Sequence, residues 1–386
     1  MVVPEKNTKI RVILLTSDSE ICGAERILLS VLRHIDRERF QPSLVTLFGP
    51  GDLCREVEAM GIPAMNLRLK EDFFLSGLRR WWNFVNEFQP HLLLSVLIHS
   101  NLLGRATVFL RPDIAMLSGI STVYTIEGYG YLYAWLERLT HPLDTLYIVN
   151  SELGMEKVVN VIGLPTGKLE LVHNGIETDV FPDHAPEIRA GVRREFGFED
   201  DHVVVGIVAQ LRPAKRHDIL IRAAAQLADR FPTLRLLIVG TGENERKMMD
   251  FAHSEGIAAR TVFTGYRPDA RKLLQGMDIF ALPSIVEGEP VSLMEAMDAG
   301  LPIAAAAAGG IPEIVEHGVS GLLSVPGDLA GFIHILETLL SNATLRQTYG
   351  RQARERVRRR FSAKRMSEEF QECCLRCARE LNLVKE

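Results

Sequence analysis

Short runs of apolar residues alternate along the chain with segments in which apolar residues recur every three to four positions. In the first half these runs begin at Ile10, Ser43, His91, Ser121 and Thr145. A run of four to eight apolar residues predicts a buried strand, whereas the longer period predicts an amphipathic helix. Strands that alternate with helices predict β-α-β units and a parallel sheet covered by helices.

The alternation stops near the middle of the chain and then starts again. Residues 175–187, GIETDVFPDHAPE, contain two prolines and several acidic residues, a composition typical of a linker between domains. Beyond it the apolar runs return, at Val203, Leu234, Thr261, Asp278 and Pro302. We therefore predict an α/β fold in which two doubly wound, Rossmann-like domains, 1–180 and 181–362, face a shared cleft.

Composition and charge place the protein among ordinary globular proteins. Of its 386 residues 47% are hydrophobic and 24% charged, and the net charge of −5 gives no reason to expect a nucleic-acid partner. The basic run RERVRRRF, from Arg354, is short and predicts a solvated helix face. No apolar run is long enough to cross a bilayer and the start has no secretory pattern, so we expect a cytoplasmic protein.

Positive charge is predicted at the end of a strand in the second domain. The sequence AQLRPAKRHD follows the run from Val203 and contains Arg212 and Lys215. Two fixed cations at a strand end would stabilise the charge that develops on a departing diphosphate, although a solvated surface loop is the alternative. In the first domain Gly23 would let the backbone approach an anion, or would simply mark a tight turn.

Two glutamates separated by seven residues form the most specific pattern in the chain. In EGEPVSLME, Glu287 lies in the loop after a strand and Glu295 about two turns into the next helix. Their carboxylates can accept hydrogen bonds from a sugar hydroxyl and a ribose diol respectively. The helix start near Val291 and Ser292 offers free N–H groups to a phosphate, and Pro290 suits the first helical position.

Taken in order, these segments resemble glycosyltransferase family 4, which contains retaining enzymes with the GT-B fold of two Rossmann-like domains. The matching segments are CGAER, VHNGIE, AQLRPAKR, VGTGE, FTGYRPD and SIVEGEPVSLMEAMDAGLPIAAAAAGGIPEIV. They cover most of the chain from Cys22 to about Val325, and the EGEP block followed by AMDAGLP is the most specific of them. The resemblance also implies that a last helix, within 363–386, packs back on the first domain.

The resemblance implies transfer of a sugar from a nucleoside-diphosphate sugar, UDP rather than GDP, to a hydroxyl acceptor with retention of configuration. Arg212 and Lys215 would bind the diphosphate, Glu287 would contact the sugar and Glu295 would accept from the ribose. The other donor-binding residues would be Gly23, Glu289, Pro290, Val291, Ser292, Tyr266 and Arg267, the tyrosine and the arginine near the base. No cofactor and no metal are expected, because the basic pair takes the role of a metal.

The chain departs from the family pattern at two positions. Cys22 replaces the first of two glycines, and Glu127 stands where many members have a histidine near the reacting sugar. A carboxylate there changes both charge and hydrogen-bonding capacity. The candidates for the acceptor or sugar side are therefore His99, Glu127 and Asn174.

The acceptor class and the reaction leave alternatives open. A saccharide or a lipid-linked acceptor fits synthesis of a glycan, polysaccharide or glycolipid. Peripheral contact with the inner face of a membrane is suggested by GLRRWWNF, from Gly77, but a packed helix with Trp81 and Trp82 in the core is favoured. The rival functions are a nucleotide-sugar epimerase of the same fold and a catalytically silent sugar-nucleotide-binding protein.

Overall fold

The structure is a computed structural model that describes residues 9–21, 23–70, 74–120, 131–178, 180, 186–381 and 383. Its contacts divide the chain into two compact units. Unit 1 comprises Met1–Gly175 and Ala363–Glu386, and unit 2 comprises Ile176–Ser362. The division therefore falls between Gly175 and Ile176, a few residues before the position placed by the sequence.

Unit 1 is built on a parallel sheet of seven strands within its described residues. The strands are β1 (Ile10–Thr16), β2 (Phe40–Thr46), β3 (Ala64–Asn66), β4 (Leu92–Val96), β5 (Ala115–Ile120), β6 (Leu146–Val149) and β7 (Leu169–Leu171). The helices are α1 (Gly23–His34), α2 (Asp52–Ala59), α3 (Phe74–Phe88), α4 (Ile98–Leu110), α5 (Tyr131–Thr140), α6 (Glu152–Lys157) and, from the end of the chain, α15 (Ala363–Glu380).

The strand order of unit 1 reverses direction between β1 and β4. The order is β3-β2-β1-β4-β5-β6-β7, with Ile10 opposite Phe40 on one side of β1 and Val12 opposite Leu92 on the other. This is the order of a Rossmann sheet with one added edge strand. The chain forms β2 and β3 on one side of β1 and then returns to form β4 on the other side. The loops after β1 and β4 therefore diverge at the carboxyl ends of these strands and leave a crevice there.

Unit 2 repeats this arrangement with six described strands. They are β8 (Val203–Val208), β9 (Leu234–Val239), β10 (Thr261–Phe263), β11 (Ile279–Leu282), β12 (Ile303–Ala306) and β13 (Gly321–Ser324), in the order β10-β9-β8-β11-β12-β13. The helices are α7 (Pro186–Glu195), α8 (His217–Leu227), α9 (Glu245–Ser254), α10 (Ala270–Leu273), α11 (Val291–Asp298), α12 (Ile311–Ile314), α13 (Leu329–Ser341) and α14 (Ala343–Arg360). Its crevice lies between β8 and β11.

The predicted apolar runs form strands wherever the structure describes them, and all of these strands except the half-buried β10 lie mostly in the core. β11 and β12 are buried along their whole length, which explains why their sequences show no polar alternation. The strand predicted from Ser121 lies outside the described residues, and the described strand β5 directly before it was not predicted. The short edge strands β3 and β13 were also missed.

The last helix, α15, belongs to unit 1 and packs against α1. The Ser367 hydroxyl donates a hydrogen bond to the Val31 carbonyl at 3.0 Å. The backbone N–H of Asp36, just beyond α1, donates to Oε1 of Gln371 at 2.8 Å. These two bonds, one helical turn apart on α15, hold α15 against α1.

The basic run of α14 is structural, so the prediction of a solvated helix face is wrong for its inner residues. Nε of Arg354 donates to the Asp298 carbonyl at 2.9 Å, and Nε of Arg356 donates to the Ile314 carbonyl at 2.6 Å. Both acceptors lie at the carboxyl ends of helices, where carbonyl groups lack helical partners. The arginines therefore satisfy buried acceptors that the sequence pattern does not reveal.

A buried ion cluster joins α4, α5 and the strands of unit 1. Arg105 is only 1% exposed and pairs with Glu137 and Asp144, each at 2.6 Å. The hydroxyl groups of Ser118 and Tyr147 donate to Asp144 at 2.5 and 2.7 Å. Burial raises the pKa of both carboxyl groups, while the two carboxylates outweigh desolvation and raise the pKa of Arg105. The cluster fixes α5 to the sheet.

Candidate functional site

The crevice of unit 2 brings together a lysine and a glutamate that the sequence singled out. Lys215 lies in the loop after β8, and Glu287 lies in the loop after β11. Nζ of Lys215 is 2.6 Å from Oε1 and 2.7 Å from Oε2 of Glu287. The lysine side chain is 25% exposed and the glutamate side chain 5% exposed. The pair thus presents a cation to solvent at the point where doubly wound sheets bind ligands.

Backbone contacts hold the loop of Glu287 in place. The N–H of Ile285 donates to the Ala214 carbonyl at 2.9 Å and so connects the two loops. On the other side, the N–H of Gly310 donates to the Gly288 carbonyl at 2.9 Å. Gly309 has a φ of +55°, and a Cβ atom there would lie 1.7 Å from the Glu287 carbonyl oxygen. Only glycine permits this approach.

The sequence alone does not reveal this role of Gly309. Gly309 contacts the Glu287 loop from more than twenty positions along the chain, so no local sequence pattern marks this contact. Two adjacent glycines ahead of a short helix were the one available clue.

The helix α11 begins one residue later than the sequence predicted. Pro290 is its N-cap, with extended backbone, and Val291 is the first helical residue. Within the described chain, the N–H groups of Val291 and Ser292 donate to no partner. These two donors at a helix N-terminus suit an anion. Glu289 and Glu295, which are 5% and 7% exposed, flank this start.

Arg212 does not join the pair made by Lys215 and Glu287. It makes no ion pair with any described residue and instead lines a pocket where α8 and α9 begin. The prediction that Arg212 acts together with Lys215 on one diphosphate therefore stays a prediction.

The glycines of GTGE support the loop that follows β8. Gly240 has a φ of +133°, and a Cβ atom there would lie 2.1 Å from the Ala209 carbonyl oxygen. A Cβ atom on Gly242 would lie 2.7 Å from the Leu211 carbonyl oxygen. The two glycines thus allow close packing against the backbone that leads to Arg212 and Lys215.

Tyr266 and Arg267, the residues predicted near the nucleotide base, differ in how many contacts they make within the protein. Tyr266 is 71% exposed, so its ring is open to a ligand. Arg267 is bound on both edges, since its Nε lies 2.7 Å from Asp269 and its NH1 2.5 Å from Glu195. A base would therefore contact Tyr266 or the guanidinium face of Arg267 rather than its N–H groups.

The crevice of unit 1 contains His99. The hydroxyl oxygens of Ser17, after β1, and Ser100, in α4, are 3.4 Å apart across the crevice. The ring of His99 meets the ring of Phe48 edge-on at 5.7 Å, and Nζ of Lys70 lies 4.4 Å from the Phe48 ring centroid. Burial, and secondarily Lys70, lowers the pKa of His99 and favours the neutral imidazole. Phe48 and Lys70 were not singled out by the sequence.

The remaining predicted positions in unit 1 have mixed outcomes. Gly23 is the first residue of α1, and a Cβ atom on it would meet nothing within 4 Å. Asn174 lies just before the unit boundary, beside His173, whose carbonyl accepts from Arg365 at 2.6 Å. Glu127 and Cys22 lie outside the described residues. Trp81 is 2% exposed and its Nε1 donates to Thr107 at 2.9 Å, as expected of a core tryptophan.

Comparison with known proteins gives matches in both units. The family described as Glycosyltransferase Family 4 matches residues 21–180, and the family described as Glycosyl transferases group 1 matches residues 189–356. EpsD of Bacillus subtilis (strain 168), a protein named as a glycosyltransferase, is 30% identical over 266 residues, which cover 65% of this chain and 68% of EpsD.

A second relative matches over a shorter stretch. The D-inositol 3-phosphate glycosyltransferase of Mycobacterium sp. (strain KMS) is 33% identical over 209 residues, or 52% of this chain. The chain spans 46% of the length of that relative.

Solved structures share the fold along almost the whole chain. Anabaena HepE, crystallised with UDP-glucose, has a TM-score of 0.82 at 22% identity, covering 95% of this chain and 100% of HepE. Sucrose-phosphate synthase from Thermosynechococcus elongatus has a TM-score of 0.81 at 15% identity, covering 96% of this chain and 100% of that one.

Two Rossmann-type units, and matches of known fold and family to both of them, define the GT-B fold class. More specifically, the chain belongs to glycosyltransferase family 4. The predicted fold class and family are thereby confirmed. No helix among the described residues is long and apolar enough to span a membrane.

Proposed function

We propose that the protein transfers a sugar from a nucleoside-diphosphate sugar to a hydroxyl acceptor, with retention of the anomeric configuration. The observation that carries the proposal is the ion pair of Lys215 and Glu287 at the crevice of unit 2. Beside it, the free N–H groups of Val291 and Ser292 supply further positive potential. This combination of cation, helix start and carboxylate suits a phosphate and a sugar bound side by side.

Lys215 would stabilise the leaving group. As the bond between sugar and diphosphate breaks, negative charge grows on the phosphate oxygen, and a fixed ammonium group stabilises that charge more in the transition state than before it. Arg212, a few residues earlier in the same loop, is proposed to contact the same diphosphate. We propose no cofactor and no metal, because Lys215 and Arg212 would neutralise the negative charge of the diphosphate in place of a metal ion.

The carboxylates would orient the donor. Glu287 accepts from a sugar hydroxyl, and Glu295 accepts from the ribose, while the backbone from Glu289 to Ser292 contacts sugar and phosphate. The departing phosphate oxygen would take the proton of the acceptor hydroxyl on the same face of the sugar, so no protein base is required. A UDP-sugar is the proposed donor, as in the Anabaena HepE structure that contains UDP-glucose.

The acceptor is proposed to bind to unit 1. Phe48 offers an aromatic face, Lys70 a cation and His99 a neutral imidazole at the crevice between β1 and β4. Aromatic faces and hydrogen-bonding rings suit a saccharide. A saccharide or lipid-linked acceptor would place the enzyme in glycan, polysaccharide or glycolipid synthesis.

Contact with a membrane surface remains part of the proposal for a lipid-linked acceptor. Unit 1 exposes large apolar side chains at the start of α3 and the end of α4: Phe74, Leu75, Phe109 and Leu110. Such side chains insert into the boundary between head groups and acyl chains. Co-sedimentation with anionic vesicles would test it: binding that falls on Phe109→Ser supports the contact, and no binding excludes it.

A two-stage experiment tests the function. In the first stage UDP-, GDP- and ADP-sugars are screened by thermal shift, where a ligand at 100 times its dissociation constant adds about 2.7 kcal/mol to stability. In the second stage the best donor is incubated with a panel of acceptors, and the product is analysed by NMR. A product whose anomeric bond has the same orientation, axial or equatorial, as the anomeric bond of the donor supports retaining transfer. Conversion of the donor without acceptor indicates an epimerase, and donor binding without turnover indicates a silent binding protein.

A further inference from the structure

A pocket of about 360 Å³ lies in unit 2 where α8 and α9 begin. Its wall is formed by the loop after β8 and by the first turns of both helices. Neither Lys215 nor Glu287 lines it, so it is separate from the ion pair in the crevice. Arg212 lies at its rim, in the same loop as Lys215.

The pocket has an excess of positive charge. Arg212, Arg216, Arg222 and Lys247 line it, and Asp218 is the one carboxylate in its lining. Asp218 pairs with Arg216 through two contacts of 2.9 Å, and Arg222 pairs with Glu255 at 3.3 Å, so the charges within each of these pairs are balanced. Among the described residues Arg212 and Lys247 have no ion-pair partner. Unpaired cations that share one concave surface attract an anion.

The two helix starts add to this potential. Arg216 is the N-cap of α8 and Asn244 is the N-cap of α9, and neither side chain caps its helix. Both residues line the pocket. Each helix N-terminus carries a partial positive charge and N–H groups without helical partners. Two such termini beside unpaired cations favour a phosphate over a carboxylate, because a phosphate offers more acceptor oxygens and more charge.

The rest of the pocket wall is apolar and aromatic. Met248 and Phe251 of α9 form one side, and the Arg222 guanidinium lies 5.1 Å from the Phe251 ring centroid. An aromatic ring stacked beneath a guanidinium gives a flat surface that contacts a sugar ring or a planar group. Inorganic phosphate would fill only a small part of this volume.

We propose that this pocket binds the phosphate group of a small phosphorylated organic molecule that is not the sugar donor. The phosphate lies between Lys247 and the helix starts, and the organic part lies against Phe251. Since the pocket borders the loop that carries Lys215, its ligand would influence the donor site through that loop. The site goes beyond the proposed transfer reaction and does not depend on it.

Binding of inorganic pyrophosphate and of UDP to the full chain, measured by calorimetry, tests the proposal. In a Lys215→Ala background, which weakens the donor site, pyrophosphate is expected to bind still. Adding Lys247→Glu should weaken that binding at least about tenfold, since it reverses one charge in the pocket. Arg246→Glu is the matched control: Arg246 is the preceding residue of α9, is exposed and does not line the pocket.

Three results would overturn the proposal. One is equal binding of pyrophosphate by the Lys247→Glu and Arg246→Glu variants. Another is loss of all pyrophosphate binding in the Lys215→Ala variant alone. The third is complete displacement of pyrophosphate by UDP in the wild type, because the anion would then occupy the donor site. Arg222→Gln serves as a second variant of the pocket. Failure of donor binding in every variant would count against the proposed function but not against this pocket.

Discussion

Nζ of Lys215 contacts both carboxylate oxygens of Glu287, at 2.6 and 2.7 Å, across 72 positions of sequence. The two residues lie in the loops after β8 and β11, the strands between which the sheet order of unit 2 reverses. The lysine neutralises a glutamate whose side chain is only 5% exposed.

Glu287→Gln removes the negative charge of this side chain while keeping its size. A hydrogen bond to a charged group contributes about 1.5–3 kcal/mol, so kcat/KM is expected to fall roughly tenfold to a hundredfold. Glu316→Gln is a suitable control, since that side chain is 54% exposed and pairs with Arg356. Steady-state kinetics with varied donor would show the difference, and equal activity in both variants would remove Glu287 from the site.

Gly309→Ala should displace the Glu287 loop. The new Cβ atom would lie 1.7 Å from the Glu287 carbonyl oxygen, so the backbone must move. Gly318→Ala is a matched control, because Gly318 also has a positive φ, +77°, but has nothing within 4 Å of its Cβ position. We expect about 1 kcal/mol of destabilisation at Gly318 from backbone strain alone, and a further 1–3 kcal/mol plus lost activity at Gly309. Urea unfolding and turnover, measured together, separate the two effects.

Arg105→Met should destabilise unit 1 strongly. It leaves Glu137 and Asp144 buried without their cation, and breaking a buried pair in this way typically costs about 3–5 kcal/mol. Arg111→Met removes an exposed pair with Asp113, whose side chain is 59% exposed, and should cost about 0–1 kcal/mol. Comparable midpoints of denaturation for these two variants would show that the cluster contributes little.

Acid should destabilise unit 2 through His217. Burial, and then Lys215, lowers the pKa of this 2% exposed histidine to about 4, against an ordinary value of 6.5. The unfolded chain binds the proton more tightly, so stability falls as the pH drops from 6.5 toward 4. The full difference is on the order of 3 kcal/mol.

His217→Gln is expected to flatten this part of the stability profile, measured by urea unfolding at several pH values. His253→Gln, at an exposed position of α9, should leave the profile unchanged. An unaltered slope in the His217 variant would mean that other groups cause the acid sensitivity.

The sequence predicted the two α/β units, and the loops that contain Lys215 and Glu287, for a physical reason. Buried parallel strands require unbroken apolar runs, and β8, β11 and β12 have them. β5, with the sequence AMLSGI, was missed because its serine and glycine interrupt the run, while the β-branched STVYTI directly after it has the stronger strand signal. Local patterns thus locate most strands but not every boundary.

Contacts between distant segments could not be predicted in the same way. A charged residue on a helix normally indicates solvent, and Arg105 is buried only because Glu137 and Asp144 meet it. The three residues lie on separate elements, so no local spacing marks the cluster. The pocket at the starts of α8 and α9 is hidden for the same reason, since Arg212 and Lys247 share a wall only in three dimensions.

Single-turnover kinetics at saturating donor tests whether Lys215 stabilises the departing diphosphate. We predict that Lys215→Ala lowers the rate of sugar transfer on the order of 10²- to 10³-fold while the variant remains folded. A Lys215→Ala protein that transfers sugar at the wild-type rate would show that Lys215 does not stabilise the departing diphosphate.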